Sequence, residues 1–448
     1  MNFFSLLQGI IGIIILIGIS FLFSNNKKRI NWRLVIVGIS IQFIFAIFII
    51  KGNELGSFFF PLSWLKISLE WLGGAIVSLL HFTLEGTKFV FGALGDSTSP
   101  GNVGVVFAFQ VLPTIIFVST VTSILYYFGI LQKVVQGMAW VMIRLLGTSG
   151  AESLSNTANI FVGQTEAPLL VKPYIEKMTR SEIFTIMVGG MATIAGGVMA
   201  AYISILGSSL ANAKGIDLSS AQIQIAVQLL AASVMAAPAS IVVSKILYPE
   251  IEESLTKGSV KLKVEKNASN FIEAAANGAS DGAKLAINVA AMLISFIALI
   301  ALLNYLLISF GDITGLNTIL KQNFNQPLSM QLILGLILQF IGFAIGVPWQ
   351  DALNFGSLLG TKIVLNEFVA YLDLSKLIAQ NILSQKTIIM ASYALCGFAN
   401  FSSVAIQIGG IGAMAPSRKG DISALGLKSI LGGTIATLMT ATIGGMLL

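Results

Sequence analysis

The chain has 448 residues, of which 55% are hydrophobic and 10% charged, and its mean hydropathy is +0.88. Soluble domains carry about a quarter charged residues, so this composition belongs to an integral membrane protein. A single cysteine, Cys396, and a single histidine, His81, exclude an intramolecular disulfide and a metal centre built on Cys or His spacing. The net charge of +6 sits in short loops between apolar segments, where it reports orientation and not nucleic-acid binding.

A spanning helix needs about 20 mostly apolar residues. Segment 3–23 fits first. No positive residue precedes it, while Lys27, Lys28, Arg29 and Arg33 follow, the reverse of a cleavable signal, so it reads as a retained helix with its N-terminus outside. Segments 34–50, 103–131, 182–208, 220–247, 284–309, 387–416 and 421–448 complete a set of eight. Residues 57–82 and 134–147 carry or adjoin Lys66, Glu70, Lys133 and Arg144, which suits helices lying at the membrane interface. Residues 328–349 are apolar but end in GVPWQD. Regions 151–176 and 350–377 each hold two short, weakly apolar arms around a polar centre, the pattern of hairpins that enter and leave on one side.

Parity supports this order. Starting outside and crossing eight times, the loops at 24–33, 132–181, 245–284 and 417–428 fall inside and hold 18 of the 26 Lys and Arg residues. That agrees with the positive-inside rule and leaves both termini outside. The longest inside loop, 250–270, mixes Lys with Glu and reads as a solvated linker. The expected organisation is an N-terminal scaffold (1–131), a first repeat (132–248), a linker with a long scaffold helix (249–310) and a second repeat (311–448).

The repeat is visible by eye. GTSGAESLSNTANIFVGQTEAP starts at Gly147 and reaches Glu166 after 19 residues; GVPWQDALNFGSLLGTKIVLNEFVAY starts at Gly346 and reaches Glu367 after 21. Each copy has an early acid, Glu152 or Asp351, and an acid at the tip. Each precedes a long helix interrupted by small residues, TIAGGVMAAY at 193–202 and CGFANFSSVA at 396–405. Three crossings separate the two copies, so the second is inverted, and inverted repeats with broken helices are a signature of secondary transporters.

In hydrocarbon an unpaired backbone polar group costs several kcal/mol, so irregular backbone lines protein or a wet cavity. Gly163 and Pro168 flank a break in the first hairpin, and Pro173 is expected to end its second arm. Gln164 and Thr165 place donors and acceptors beside that break. Glu166 and Glu367, if buried, need partners, and no lysine or arginine deep in a span offers itself. The plainer reading has the acids capping hairpin arms or pairing across the repeat axis; two acids at matching positions, each beside a break, argue against it. Phe398, Asn400, Ser402 and Ser403 face the second hairpin tip, NEFVAY, although Ser and Asn also join helix to helix in membranes. Asn159 and Thr193 carry side-chain oxygens near backbone breaks, as a sodium site requires, and equally serve as caps.

ANIFVGQTEAPLLVKPY (158–174), IAGGVMAAY (194–202), GVPWQDA (346–352), NEFVAY (366–371) and ALCGFANFSSVAIQIGGIGAMAPSRKGDI (394–422) together resemble the concentrative nucleoside transporters, and within them the bacterial sodium-coupled members. The resemblance implies an all-α membrane protein with eight transmembrane helices, two re-entrant hairpins and interfacial helices, assembled as a homotrimer in the lipid of a bacterial inner membrane. Carried onto matching positions, Gln164 and Thr165 would hydrogen-bond the nucleobase, Glu166 would reach it through water, and Val198 would pack on it. Glu367 would accept from ribose hydroxyls beside Asn400 and Ser403, with Phe398 against the nucleoside. Sodium would be held by the side chains of Asn159 and Thr193 and the carbonyls of Val162 and Ile194. The family pattern leads one to expect serine at 193; threonine keeps the hydroxyl. Proton-coupled relatives carry GQSEN where this chain has GQTEA, which favours sodium.

Three readings compete with a sodium-driven symporter: proton coupling through Glu166 or Glu367, a membrane-embedded enzyme using the two acids, and a passive channel. The enzyme reading lacks a metal site, a nucleophile beside a base and a cofactor loop. Inverted repeats with broken helices argue against the channel.

Overall fold

The computed structural model describes residues 3–95, 106–258 and 268–448, and among them regular structure is entirely helical. In chain order the main helices are α1 (Phe3–Leu22), α2 (Trp32–Ile50), α3 (Trp64–Phe91), α4 (Leu112–Tyr127), α5 (Ile130–Leu146), α6 (Gly150–Ala158), α7 (Arg180–Ala192) and α8 (Gly196–Lys214). They continue with α9 (Leu218–Leu247), α10 (Phe271–Ile313), α11 (Met330–Ala344), α12 (Trp349–Val364), α13 (Glu367–Ala379), α14 (Gln385–Leu395), α15 (Phe401–Met414) and α16 (Lys419–Leu447).

Among the described residues eight helical stretches have the length and hydropathy of a span, but they are not quite the eight expected. Phe60–Gly95, expected as an interfacial piece ending near residue 82, meets both criteria. The expected span 387–416 does not, because the five-residue break at 396–400 leaves α14 and α15 each too short, whereas the briefer break at 193–195 leaves Arg180–Lys214 one long stretch. The start of the expected span 103–131 lies outside the described residues up to 105; its helix proper begins at Leu112. α5 buries Gln132, Val135, Ala139, Met142 and Leu146, a three-and-four spacing that marks one face, and exposes Val134 and Trp140 on another. α10 runs 43 residues, about 64 Å at 1.5 Å per residue, so it outruns a bilayer's hydrocarbon core. Its Ile287, Ile294, Tyr305 and Ile313 point away from the protein. α11 and α12 pack together across a 120° bend at GVPW.

Two long helices are broken at their midpoints. Between α7 and α8 the chain is extended at Thr193 (φ −126°, ψ 167°) and Ala195 (φ −68°, ψ 143°). Between α14 and α15 the break runs from Cys396 to Asn400, whose side chain caps α15 by accepting from the Ser403 amide at 2.9 Å. α16 packs against α7, α9, α14 and α15 and so joins both repeats. A Cβ on Gly432 or Gly433 would strike Val188 or Met191 of α7, so these two positions let the helices meet at backbone distance.

The hairpins differ in build. The first has α6 as one arm, opened by a Ser149–Glu152 capping box, and a 3₁₀ turn (Ala167–Val171) leading to a four-residue helix (Lys172–Ile175) as the other. Pro173 therefore starts the last piece where it was expected to end the arm, since its missing N–H costs nothing at a helix's first turn. The second hairpin has two regular arms, α12 and α13, in contact with each other.

The expected solvated linker is docked over its first half. Gly150 N–H donates to Thr256 O at 2.8 Å, Ala151 N–H to Thr256 Oγ1 at 3.2 Å, and Thr179 Oγ1 to Glu250 Oε2 at 2.9 Å; residues 259–267 lie outside the described ones. Lys245 lies beneath this strap, buried, 2.8 Å from Glu152 Oε2 and 3.3 Å from Glu250 Oε2, with Ser181 Oγ at 2.9 Å. Lys362, fully buried five residues before Glu367, overturns the expectation that no deep lysine offers itself to a tip acid, and the early acid Glu152 has a buried lysine partner as well. Pattern reading misses it because Lys245 closes an otherwise apolar helix at the end where loops begin.

Candidate functional site

The two hairpin tips and the two helix breaks converge on one cavity of about 150 Å³. Its wall includes Gln164, Thr165 and Glu166 from the first hairpin and Val198 from α8, just past the first break. Glu367 comes from the second tip, and Phe398, Asn400 and Ser403 from the second break. All eight residues singled out for substrate therefore share one chamber, closed on its apolar side by Leu285, Val289 and Leu293 of α10.

The polar groups are tied to one another. Glu367 is buried at the head of α13, where Asn366 caps the helix through the Val369 amide at 2.9 Å. Its Oε1 accepts from Tyr202 Oη at 2.9 Å and its Oε2 from Asn400 Nδ2 at 3.0 Å. A carboxylate offers about four lone-pair positions, so two neutral donors hold it in place and leave capacity on both oxygens. Gln164 Nε2 donates to Ser403 Oγ at 3.2 Å, while Gln407 Nε2 donates to Gln164 Oε1 at 3.1 Å and to the Met187 carbonyl at 2.9 Å. Each tip is thus bonded to the helix break at 400–403 or to the turn that follows it.

Glu166 behaves differently from the expectation of a buried acid: it is exposed. It borders both the small cavity and an adjoining one of about 630 Å³, shared at Gly163, Ala195 and Leu285 and reaching Lys172, Glu176 and Asp281. An exposed carboxylate on a cavity that polar and charged side chains also line needs no buried counter-ion. Tyr202 and Gln407 bond to these candidate residues, and the sequence did not single them out. Both were within reach, because Tyr202 is four residues after Val198 and Gln407 four after Ser403, which places each pair on one helix face. Under the ribose role proposed below for Glu367, Tyr202→Phe is expected to raise the half-saturating ribonucleoside concentration at least tenfold, the loss of one hydrogen bond to a charged group of about 1.5–3 kcal/mol. Uptake kinetics in membrane vesicles check this.

The candidate ion ligands flank the contact between the first hairpin and the first break. Gly196 N–H donates to the Phe161 carbonyl at 3.2 Å, with Asn159 and Val162 on the hairpin side and Thr193 and Ile194 on the break side. Asn159 is fully buried, and neither its Oδ1 nor its Nδ2 has a hydrogen-bond partner. Thr193 Oγ1 donates to Gly189 O at 3.0 Å, which leaves its lone pairs free. A buried amide left unpaired costs about 1–3 kcal/mol, so the site is built for a further ligand, and an oxygen donor set suits a hard cation.

Three family models match successive parts of the chain. Models described as Na+ dependent nucleoside transporter N-terminus, nucleoside recognition, and Na+ dependent nucleoside transporter C-terminus match residues 11–94, 108–209 and 228–445. An uncharacterized transporter of Haemophilus influenzae is 42% identical over 99% of this chain and 98% of its own. Sodium/nucleoside cotransporter 1 of Homo sapiens is 40% identical over 97% of this chain, which spans 63% of that longer protein. The solved structure of CNTnw in an inward-facing substrate-bound state superposes with a TM-score of 0.84 at 36% identity, covering 99% of this chain and 98% of that one. A doubly substituted CNTnw in an outward-facing state gives 0.85, also at 36% identity, over 100% and 98%. With a chamber between two hairpin tips and this likeness along its whole length, the chain belongs to the concentrative nucleoside transporters, a family of carriers and not of enzymes.

Proposed function

We propose that this protein is a secondary active symporter that moves nucleosides into the cell down a sodium gradient by alternating access. The convergence of both hairpin tips and both helix breaks on one chamber carries the reading. Ribose is the natural partner of Glu367: two vicinal hydroxyls donate to the capacity that Tyr202 and Asn400 leave on the carboxylate. The base lies toward Gln164, Thr165 and Val198, with Glu166 reaching it through water of the adjoining cavity and Phe398 against the nucleoside. Ser403, bonded to Gln164, links the two halves.

Sodium as the coupling ion is supported by the unpartnered Asn159 amide beside the first break and by the sodium-dependent relatives. Asn159, Thr193 and the Val162 and Ile194 carbonyls hold it, and its binding pins the first hairpin to the broken helix with Gln164 facing the base. The proposal includes a homotrimer in a bacterial inner membrane with both termini outside. Uptake into proteoliposomes tests the function: uridine is expected to accumulate above equilibrium under an inward sodium gradient. Accumulation that ignores sodium and follows a pH gradient would show proton coupling instead, and mere equilibration would show a channel.

A further inference from the structure

Lys362 is fully buried in the first arm of hairpin 2, five residues before Glu367. Its Nζ donates to the Ala394 carbonyl at 2.9 Å and to Thr437 Oγ1 of α16 at 3.2 Å. Unlike Lys245, which sits between two carboxylates at the hairpin 1 base, Lys362 is held by neutral oxygens. An ammonium in the middle of a membrane protein is costly unless something offsets its desolvation. Here the offset is a helix end. Ala394 lies in the last turn of α14, and the amide four residues on, at Phe398, has left the helix, so the Ala394 carbonyl lacks its helical donor. The C-terminal end of a helix also carries roughly half a negative charge. The ammonium answers both needs.

The first repeat has the same parts in another arrangement. There α7 ends at Ala192, its break begins at Thr193, and the hairpin residues facing it, Asn159 and Val162, precede the tip acid by seven and four positions. Lys362 precedes its own tip acid by five positions, between those two offsets. One repeat thus offers the helix end an unpartnered amide, and the other offers it a lysine.

We propose that Lys362 is the built-in cation of the second repeat, occupying at the end of α14 the place that the coupling ion takes at the end of α7. It fastens hairpin 2 to the second break at all times and keeps Glu367 set for ribose, so only hairpin 1 is gated by an exchangeable ion. The inference rests on the sodium reading above. It makes Lys362 a positioning residue, acting on ribose through Glu367 and touching neither substrate nor ion.

The test measures uridine and 2′,3′-dideoxyuridine binding to purified protein across a sodium titration, for wild type, Lys362→Met, Lys362→Gln and Lys362→Arg. Lys362→Met is expected to weaken uridine binding about tenfold and dideoxyuridine less than threefold, because the sugar diol is the part read by hairpin 2. The sodium midpoint is expected to move less than twofold, and Lys362→Arg to bind uridine within about threefold of wild type. Wild-type uridine affinity in the Met protein overturns the proposal, as does an equal loss for both ligands or a lost sodium response. Lys362→Gln serves if the Met protein does not fold: it keeps a donor without the charge, so wild-type diol discrimination in it also overturns the proposal. Wild-type binding indifferent to sodium would refute the sodium reading itself, a result separate from the diol discrimination of the variants.

Discussion

Glu367→Gln is expected to lower ribonucleoside uptake about a hundredfold while the protein still reaches the membrane folded. The carboxylate accepts from Tyr202 and Asn400 and, in the proposed complex, from two sugar hydroxyls. An amide in its place turns one acceptor into a donor that faces other donors. Hydrogen bonds to a charged group contribute about 1.5–3 kcal/mol each, so losing one and opposing another costs about 3 kcal/mol, or two powers of ten in affinity. The fold tolerates the change because Asn366, and not Glu367, caps α13. Concentration-dependent uptake of labelled uridine, normalised to protein in the membrane, measures it. Uptake at the wild-type level by a well-expressed Glu367→Gln protein would remove that residue from the ribose role.

Asn159→Ala carries the second large effect. It is expected to raise the sodium concentration for half-maximal uptake at least tenfold and to remove at least half of sodium's stabilisation of the purified protein. An ion that binds only the folded state at a hundred times its dissociation constant stabilises by about 2.7 kcal/mol, which appears as a shift in thermal midpoint. Without sodium the variant should be no less stable than wild type, since the side chain removed has no hydrogen-bond partner and its burial is a cost. This sign separates an ion ligand from a structural amide, whose removal would destabilise the protein in every buffer. A thermal titration with sodium, using choline as the control salt, decides it. An unchanged sodium midpoint would show that Asn159 is not a ligand.

The pattern of the chain alone determined its class, its inverted repeat and the place of both breaks. Spanning length, loop charge and the spacing of Gly, Pro and acidic residues are local quantities, and membrane burial makes them strict. The motifs at 158–174, 194–202, 366–371 and 394–422 likewise pointed to eight residues that the fold gathers around one chamber. What the chain could not show is which groups face one another across it. Tyr202 reaches Glu367 over 165 positions, Gln407 reaches Gln164 over 243, and Lys362 reaches Thr437 over 75. Lys362 passes unnoticed in its arm until the carbonyl end of α14 is brought against it, and Glu166 reads as a buried charge until its exposure beside the adjoining cavity is seen. Periodicity reports which face of a helix is apolar. Only the packing of the two repeats around α16 decides which buried donor meets which acceptor, and so which acid is held ready and which stays free.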